Sequence, residues 1–153
     1  MLTREANLWS SDSFEHILFL EKDQFCEIDF NEIDYLVKEY MEPVLVRKGM
    51  KNPEKNHMYS YLTILIVSER ELNKQEIKKI KRYSFDKGYN FNLRGYAQAR
   101  LGVVSLPNKE IYLNRAAVKM KKVLKATFQD LEQNKAGFLQ LIEDGSVVPF
   151  TQE

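Results

Sequence analysis

The chain has 153 residues, of which 44% are hydrophobic and 29% charged, and this matches one globular domain rather than a disordered chain or two large cores. No apolar run approaches the roughly 20 residues of a membrane-spanning helix, and the N-terminus lacks the apolar core of a signal peptide. A single cysteine, Cys26, excludes an internal disulfide. We therefore expect one cytoplasmic domain over residues 1–153, with residues 126–153 as a helical extension packed on it.

The net charge is only +1, but it is distributed unevenly. Residues 1–45 carry a net charge of −8, residues 46–125 carry +13 and residues 126–153 carry −4. A basic segment of this kind favours contact with nucleic acid or another polyanion. Two alternatives stay open: the acidic ends fold back over the basic middle, or the lysines occupy the solvent side of helices.

The N-terminal third predicts a strand over residues 14–20 and a helix that begins near Asp29. Asp29 and Glu32 have the spacing of a capping box, in which each side chain accepts a hydrogen bond from the backbone of the other. Apolar residues then recur at intervals of three and four. Pro43 lacks the donor that a longer helix needs, so we expect the helix to end near Met41.

A loop over residues 48–56 precedes the most apolar stretch of the chain, residues 61–67. This stretch is continuously apolar apart from one threonine, which is typical of a strand that is covered on both faces. Asn73 and Glu76 then form a second capping-box pattern, and the lysine-rich segment after it predicts a basic amphipathic helix.

The following segment predicts three strands, over residues 89–94, 100–106 and 110–113, with the last two joined as a hairpin. Asn114 has the chemistry of a helix cap, and an apolar stripe after it predicts a further helix. Residues 136–143 predict a last short helix that ends at Gly145, and the apolar residues 147–150 are expected to dock.

These elements predict an α/β (or α+β) fold built on a single mixed sheet. Residues 61–67 and 100–106 form a right-handed parallel strand–helix–strand crossover, and the C-terminal hairpin strand is antiparallel. Three to four helices flank the sheet on one face or on both.

Several chemistries are disfavoured by the sequence. The two histidines, His16 and His57, lack the spacing of metal ligands, so we expect no metal and no cofactor. The loop of residues 68–72 is acidic where a phosphate-binding loop needs small residues. No serine, and not Cys26 either, lies in the strand–turn–helix glycine pattern that surrounds a catalytic nucleophile. The chain is therefore more typical of a non-enzymatic protein.

The most distinctive segment is residues 90–100, which places aromatic rings beside Arg94 and Arg100. Planar guanidinium groups next to an aromatic such as Tyr96 suit an anionic or planar ligand. Our first hypothesis is therefore a binding or regulatory domain that self-associates and uses these three residues. The alternative is that the arginines pair internally with carboxylates such as Asp29 or Asp34.

Two other function classes remain open. The first is nucleic-acid binding through a basic helical face, whose members are Lys74, Lys78, Lys79, Arg82, Lys119, Lys122 and Lys125. The second is a hydrolase or nuclease that acts through Glu69, Glu71 or His57, with Asp86 as a further carboxylate.

Several short motifs resemble an uncharacterised family of bacterial proteins, over residues 2 to about 125. They are Leu2-Thr3-Arg4-Glu5, Phe14-Glu15-His16-Ile17-Leu18, His57-Met58, Ile66-Val67-Ser68-Glu69, Phe91-Asn92-Leu93-Arg94-Gly95-Tyr96, Ala99-Arg100-Leu101 with Val103-Val104, and Asn114-Arg115. The resemblance implies one fold and supplies no catalytic residue. It also implies that the sequence starts inside the family pattern and that residues 126–153 are an addition. If the sequence starts inside the family pattern, the sheet has an exposed edge near the N-terminus, which a partner or a second copy would complete.

Overall fold

The computed structural model describes residues 1–8, 11–26 and 29–143. Within these ranges, six strands form one mixed sheet that is accompanied by three α-helices. The strands are β1 (Leu2–Leu8), β2 (Ser11–Lys22), β3 (His57–Ser68), β4 (Asp86–Gly88), β5 (Tyr96–Ser105) and β6 (Glu110–Leu113). The helices are α1 (Asp29–Tyr35), which continues as a π-helical segment (Leu36–Val46), α2 (Lys74–Arg82), and α3 (Lys121–Glu143), which follows a 3-10 segment (Arg115–Met120). The predicted α/β class with a single mixed sheet is confirmed.

The strand order is β1-β2-β3-β5-β4, and β6 pairs with the C-terminal half of β5. β2, β3 and β5 are parallel to one another, whereas β1, β4 and β6 run antiparallel to their neighbours. The parallel connection from β3 through α2 to β5 and the β5–β6 hairpin are both as predicted. β3 occupies the centre of the sheet, because its apolar run can be buried on both faces.

The chain divides into two compact units, Met1–Lys119 and a second one that begins at Met120. The first unit contains the whole sheet, α1 and α2. Of the described residues, α3 makes up most of the second unit. Every cavity and cluster described below belongs to the first unit.

The core lies on one face of the sheet, which we call the covered face. Alternate residues of β3, such as Leu62 and Ile64, are fully buried there, and Leu101 lies beside them on β5. Ile33 of α1 and Ile80 of α2 belong to the same core cluster. Both helical layers therefore pack on this face.

The opposite face carries the other set of alternating side chains. The strand register places Tyr59 and Tyr61 of β3 beside Tyr96 and Gln98 of β5. Glu15 of β2 lies opposite Tyr61 on the other side. We call this surface the tyrosine face.

Two expectations for the first helix are wrong. Asp29 does not cap Glu32: its carboxylate accepts a hydrogen bond from the backbone N–H of Cys26 at 2.5 Å, and Glu32 pairs with Lys22 at 2.8 Å. The helix also passes Pro43 and ends at Val46 rather than near Met41. Pro43 lies inside the π-helical segment, where hydrogen bonds span five residues, and its missing N–H leaves one of these bonds unmade.

The capping box of α2 is confirmed. The Asn73 side chain accepts from the backbone N–H groups of Gln75 and Glu76, and the Glu76 carboxylate accepts from the backbone N–H of Asn73 at 2.8 Å. Asn114 also has a capping role, since its Oδ1 accepts from the N–H of Ala117 at 3.1 Å. The same side chain bonds Leu101 on β5, so it ties the 3-10 segment to the sheet.

Two further expectations need correction. Residues 89–94 form turns instead of a strand, because Asn90, Phe91 and Asn92 all have positive φ angles, of 48°, 53° and 65°. Residues 136–143 are the end of the continuous helix α3 instead of a separate helix. The expectations for Gly145 and residues 147–150 lie outside the described residues.

Candidate functional site

The centre of the tyrosine face is an arginine held between an acid and an aromatic ring. The guanidinium of Arg100 donates to Glu15 Oε1 at 3.0 Å, and its central carbon lies 3.3 Å from the centroid of the Tyr61 ring. The sheet register makes this cluster. Arg100 of β5 is paired with Thr63 of β3, and Tyr61 is the preceding residue of β3 on the same face of the sheet. A cation over an aromatic face is stabilised by the ring quadrupole, so the arginine is held in one orientation.

Tyrosines extend this cluster along the sheet. The Tyr59 and Tyr96 rings stack with centroids 6.0 Å apart, and the hydroxyl groups of Tyr61 and Tyr96 lie 3.3 Å from each other. Burial and this hydroxyl pair raise the pKa of Tyr96 to about 12. The Tyr96 phenol therefore stays neutral at physiological pH and keeps its capacity to donate a hydrogen bond.

A cavity of about 490 Å³ opens beside Arg100, and we call it the Arg100 cavity. Its charged and polar lining includes Gln98 and Asp86 at one side and Arg115 and Lys119 of the 3-10 segment at the other. Gln98 Nε2 donates to Asp86 Oδ1 at 2.6 Å, so the one carboxylate among these residues is engaged. Within the described ranges, neither Arg115 nor Lys119 has an ion pair or a hydrogen bond of its side chain.

Arg100 brings an unsatisfied donor to this lining. Its Nε is buried and has no hydrogen-bond partner among the described residues. Burying such a donor without an acceptor costs about 1–3 kcal/mol. Tyr83 also lines the cavity; burial and the nearby charge of Asp34 on α1 raise the pKa of its phenol, and its buried hydroxyl has no hydrogen-bond partner among the described residues.

A smaller cavity of about 240 Å³ lies on the other side of Arg100. It is lined by Arg4, Glu15, Tyr59 and Tyr61 as well as by Arg100 itself. Arg100 therefore forms a wall between two recesses of the tyrosine face. Its ion pair with Glu15 orients the guanidinium for both.

The structure separates the three residues predicted to form the ligand surface. Tyr96 and Arg100 share the tyrosine face, but Arg94 lies in the turn before β5 and donates to the backbone carbonyl of Pro53 at 3.3 Å. The internal carboxylate partner of Arg100 is Glu15, instead of the suggested Asp29 or Asp34. Sequence reasoning did not connect Glu15, Arg115 or Lys119 with Arg100, although it named Lys119 for the nucleic-acid surface, because only the sheet register and the 3-10 segment bring them towards Arg100.

The basic residues of the nucleic-acid hypothesis fall into three groups. Lys74, Lys78, Lys79 and Arg82 belong to α2, and Lys79 lies 5.9 Å from the centroid of the Phe30 ring. Lys119 lines the Arg100 cavity, while Lys122 and Lys125 belong to α3 in the second unit. The nucleic-acid surface stays a prediction.

The residues of the hydrolase hypothesis do not share one place. His57 begins β3, whereas Glu69 and Glu71 follow the end of that 12-residue strand, roughly 35 Å away at about 3.3 Å per residue. His57 is buried, and its two ring nitrogens lie 2.9 Å from the Arg94 carbonyl and 2.8 Å from Ser60 Oγ. This geometry argues against a common active site for the three residues.

The loop after β3 is held by hydrogen bonds and an ion pair of Arg70. The carbonyl of Arg70 accepts hydrogen bonds from the hydroxyls of Ser68 and Ser105, and the Arg70 guanidinium pairs with Glu76 at 2.5 Å. Its backbone is therefore engaged at the position where α/β proteins commonly bind phosphates.

Across the described ranges, no cluster of three or more histidine, cysteine or acidic side chains has a metal-binding arrangement. The helices in the same ranges are too short or too polar to cross a bilayer.

A family model for a domain of unknown function, DUF8052, matches residues 1–126. The chain belongs to the DUF8052 family. The match agrees with the predicted resemblance to an uncharacterised family over residues 2 to about 125. No curated protein and no solved structure matches the chain. The Arg100 cavity lies inside the DUF8052 region, since its lining ends at Lys119.

Proposed function

We propose that this DUF8052 domain is a non-enzymatic binding module for a small anionic ligand, held in the Arg100 cavity. The observation that carries the proposal is Arg100, a residue with a buried, unpartnered Nε, which lines a cavity together with Arg115 and Lys119. Guanidinium groups recognise carboxylate and phosphate oxygens through paired hydrogen bonds. The cavity volume of about 490 Å³ falls within the ordinary range for small-molecule sites.

The chemistry of the lining favours binding over catalysis. The Asp86 carboxylate accepts from Gln98, and the Arg100 guanidinium is oriented by Glu15. These contacts stabilise a fixed set of donors and leave the charges of Arg115 and Lys119 available to an anion. A regulatory role follows if the bound anion changes the surface that a partner contacts.

Thermal unfolding in the presence of inorganic phosphate or citrate, at constant ionic strength, tests this proposal. At ten times the dissociation constant, a ligand that binds only the folded chain raises the free energy of unfolding by about 1.4 kcal/mol. We expect the double variant Arg115→Gln/Lys119→Gln to lose this stabilisation. The matched control is Lys51→Gln/Lys81→Gln, which removes the same charge from exposed positions outside the cavity. Equal stabilisation of both variants would refute the proposal.

A second candidate function is nucleic-acid binding through α2. This nine-residue helix carries five basic side chains, and its one acid, Glu76, is paired with Arg70. Phosphate contacts release counterions, so binding must weaken steeply with salt. A gel shift over a salt series, with Lys74→Gln/Lys78→Gln compared with Lys51→Gln/Lys55→Gln, tests this candidate. A salt-independent shift, or equal loss in both variants, would contradict it.

Self-association is proposed through the edge strand β1. Among the described strands, β1 pairs with β2 alone, and the backbone groups of its other side can extend the sheet into a second copy. Sedimentation analysis is expected to show a dimer that Glu5→Pro disrupts, since proline removes a backbone donor from the strand. A wild-type chain that stays monomeric at all concentrations would refute this.

A further inference from the structure

A cavity of about 200 Å³ lies on the covered face, away from the Arg100 cavity. It is bounded by side chains of β1, β2 and β3 and by the end of the π-helical segment. The lining is mostly apolar, and the residues that matter here are Thr3, Phe14, His16, Leu45, Val46 and His57. An apolar recess of this kind favours an uncharged occupant, because burying an unpaired charge is costly.

Three flat rings form one wall of this cavity. Phe14 lies between His16 and His57, with ring centroids 6.1 Å and 6.4 Å away and interplanar angles of 7° and 8°. Phe14 and His16 share a face because they are alternate residues of β2, and the register shift between Asp12 and Ser13 allows His57, at the start of β3, to join them. A wall of nearly parallel rings favours a planar occupant, because ring edges and faces pack well against another ring.

His16 contributes the only unsatisfied ring nitrogen of the two histidines. The residue is 5% exposed, its Nδ1 lies 3.1 Å from Thr3 Oγ1, and its Nε2 has no partner among the described residues. Both nitrogens of His57 are engaged by the Arg94 carbonyl and Ser60. His16 lines the cavity, and its Nε2 is a buried nitrogen that lacks a partner among the described residues.

We propose that this cavity binds a small, uncharged aromatic alcohol of the phenol class, with its hydroxyl on His16 Nε2. A hydroxyl both donates and accepts, so it satisfies Nε2 in either neutral tautomer of the imidazole. An engineered apolar cavity of about 150 Å³ is large enough to bind benzene, and this cavity is larger. The exposed ion pair between Lys48 and Glu54, at 2.7 Å, also lines the cavity and marks where it meets solvent.

This site is independent of the proposed anion site. His16 and Glu15 are consecutive on β2, so their side chains lie on opposite faces of the sheet. The Arg100 cavity is on the face of Glu15, and the His16 cavity is on the other. Failure of one proposal therefore leaves the other untouched.

The test is an NMR titration of the full chain, labelled with ¹⁵N at its imidazole nitrogens, with phenol and separately with benzene. We expect phenol to shift the Nε2 resonance of His16 in a saturable way. Benzene has no hydroxyl group, so it should bind with lower affinity and should not produce the hydrogen-bond shift of the His16 Nε2 resonance. A single buried hydrogen bond corresponds to an affinity difference of about 2- to 10-fold.

The variant His16→Phe keeps an aromatic ring in the wall but removes the nitrogen. Its phenol affinity should fall to that of benzene, while its benzene affinity stays within about twofold of the wild type and shows that the cavity is intact. If His16→Phe does not fold, the comparison of phenol with benzene on the wild-type chain decides. An unmoved His16 resonance, a shift that does not saturate, or equal affinities for phenol and benzene would overturn the proposal.

Discussion

Glu42 is the most heavily engaged buried charge among the described residues, and replacing it with glutamine gives the sharpest test of how this fold is held together. Its side chain is 2% exposed. Oε1 accepts from Arg47 Nε at 2.6 Å, from the Tyr89 hydroxyl at 2.7 Å and from Lys87 Nζ at 3.0 Å, while Oε2 accepts from Arg47 at 3.1 Å. One carboxylate thus connects the π-helical segment to residues around β4.

The expected cost of Glu42→Gln follows from these contacts. Breaking a buried ion pair costs about 3–5 kcal/mol when the remaining charge stays buried. The side chains of Arg47 and Lys87 are 22% and 42% exposed, so water can solvate both charges when the carboxylate is removed. The glutamine oxygen also keeps one acceptor. We therefore expect the free energy of unfolding to fall by about 2–3 kcal/mol.

The measurement is urea unfolding followed by circular dichroism. The matched control is Glu39→Gln, an exposed position on the same helical segment, which should change the free energy by less than about 0.5 kcal/mol. If the two variants lose equal stability, the hydrogen bonds and ion pairs of Glu42 do not stabilise the fold.

Acid provides a second readout for Glu42. Burial alone would raise the pKa of its carboxyl, but hydrogen bonds from Arg47, Tyr89 and Lys87 outweigh burial and hold the pKa below its usual 4.5. The stability from Glu42 is therefore present above pH 4.5 and lost as the pH falls through the lower, folded-state pKa. Glu42→Gln should remove this part of the acid dependence.

Three other predictions concern single features. Asn73→Ala removes the capping box of α2 and should lower the free energy of unfolding by about 1 kcal/mol, with Lys74→Ala as a near-neutral control in the same urea assay. Gly95→Ala should abolish stable folding, because φ at Gly95 is +71° and a Cβ there would overlap the Met58 carbonyl; a cooperative melt near the wild-type temperature would contradict this. Burial lowers the pKa of His16 and His57 below 6.5, so their contribution to stability is present above pH 6.5 and lost as the pH falls through the folded-state values. Urea midpoints between pH 7.5 and 5 check this, and they should depend less on pH in His16→Phe.

Much of the fold was predictable because its strongest signals are local. The apolar run in β3 needs burial on both faces, which places it in the middle of a sheet. The capping box of α2 acts between neighbours in sequence, and the β5–β6 hairpin is short-range as well. The first helix was predicted only in part, because its end depends on how the chain passes Pro43 and on the long-range contacts of Glu42.

The candidate site was predictable only as residue types. The sequence by itself pointed to Tyr96 and Arg100 as aromatic and guanidinium groups, but it joined them to Arg94, which the tertiary structure places against Pro53. Strand register, which brings together residues as distant in sequence as Glu15 and Arg100, made the ion pair and the cavity beside it. A shift of one residue reverses the faces of a strand, so a long-range register of this kind decides which side chains meet. Local patterns carry no information about it.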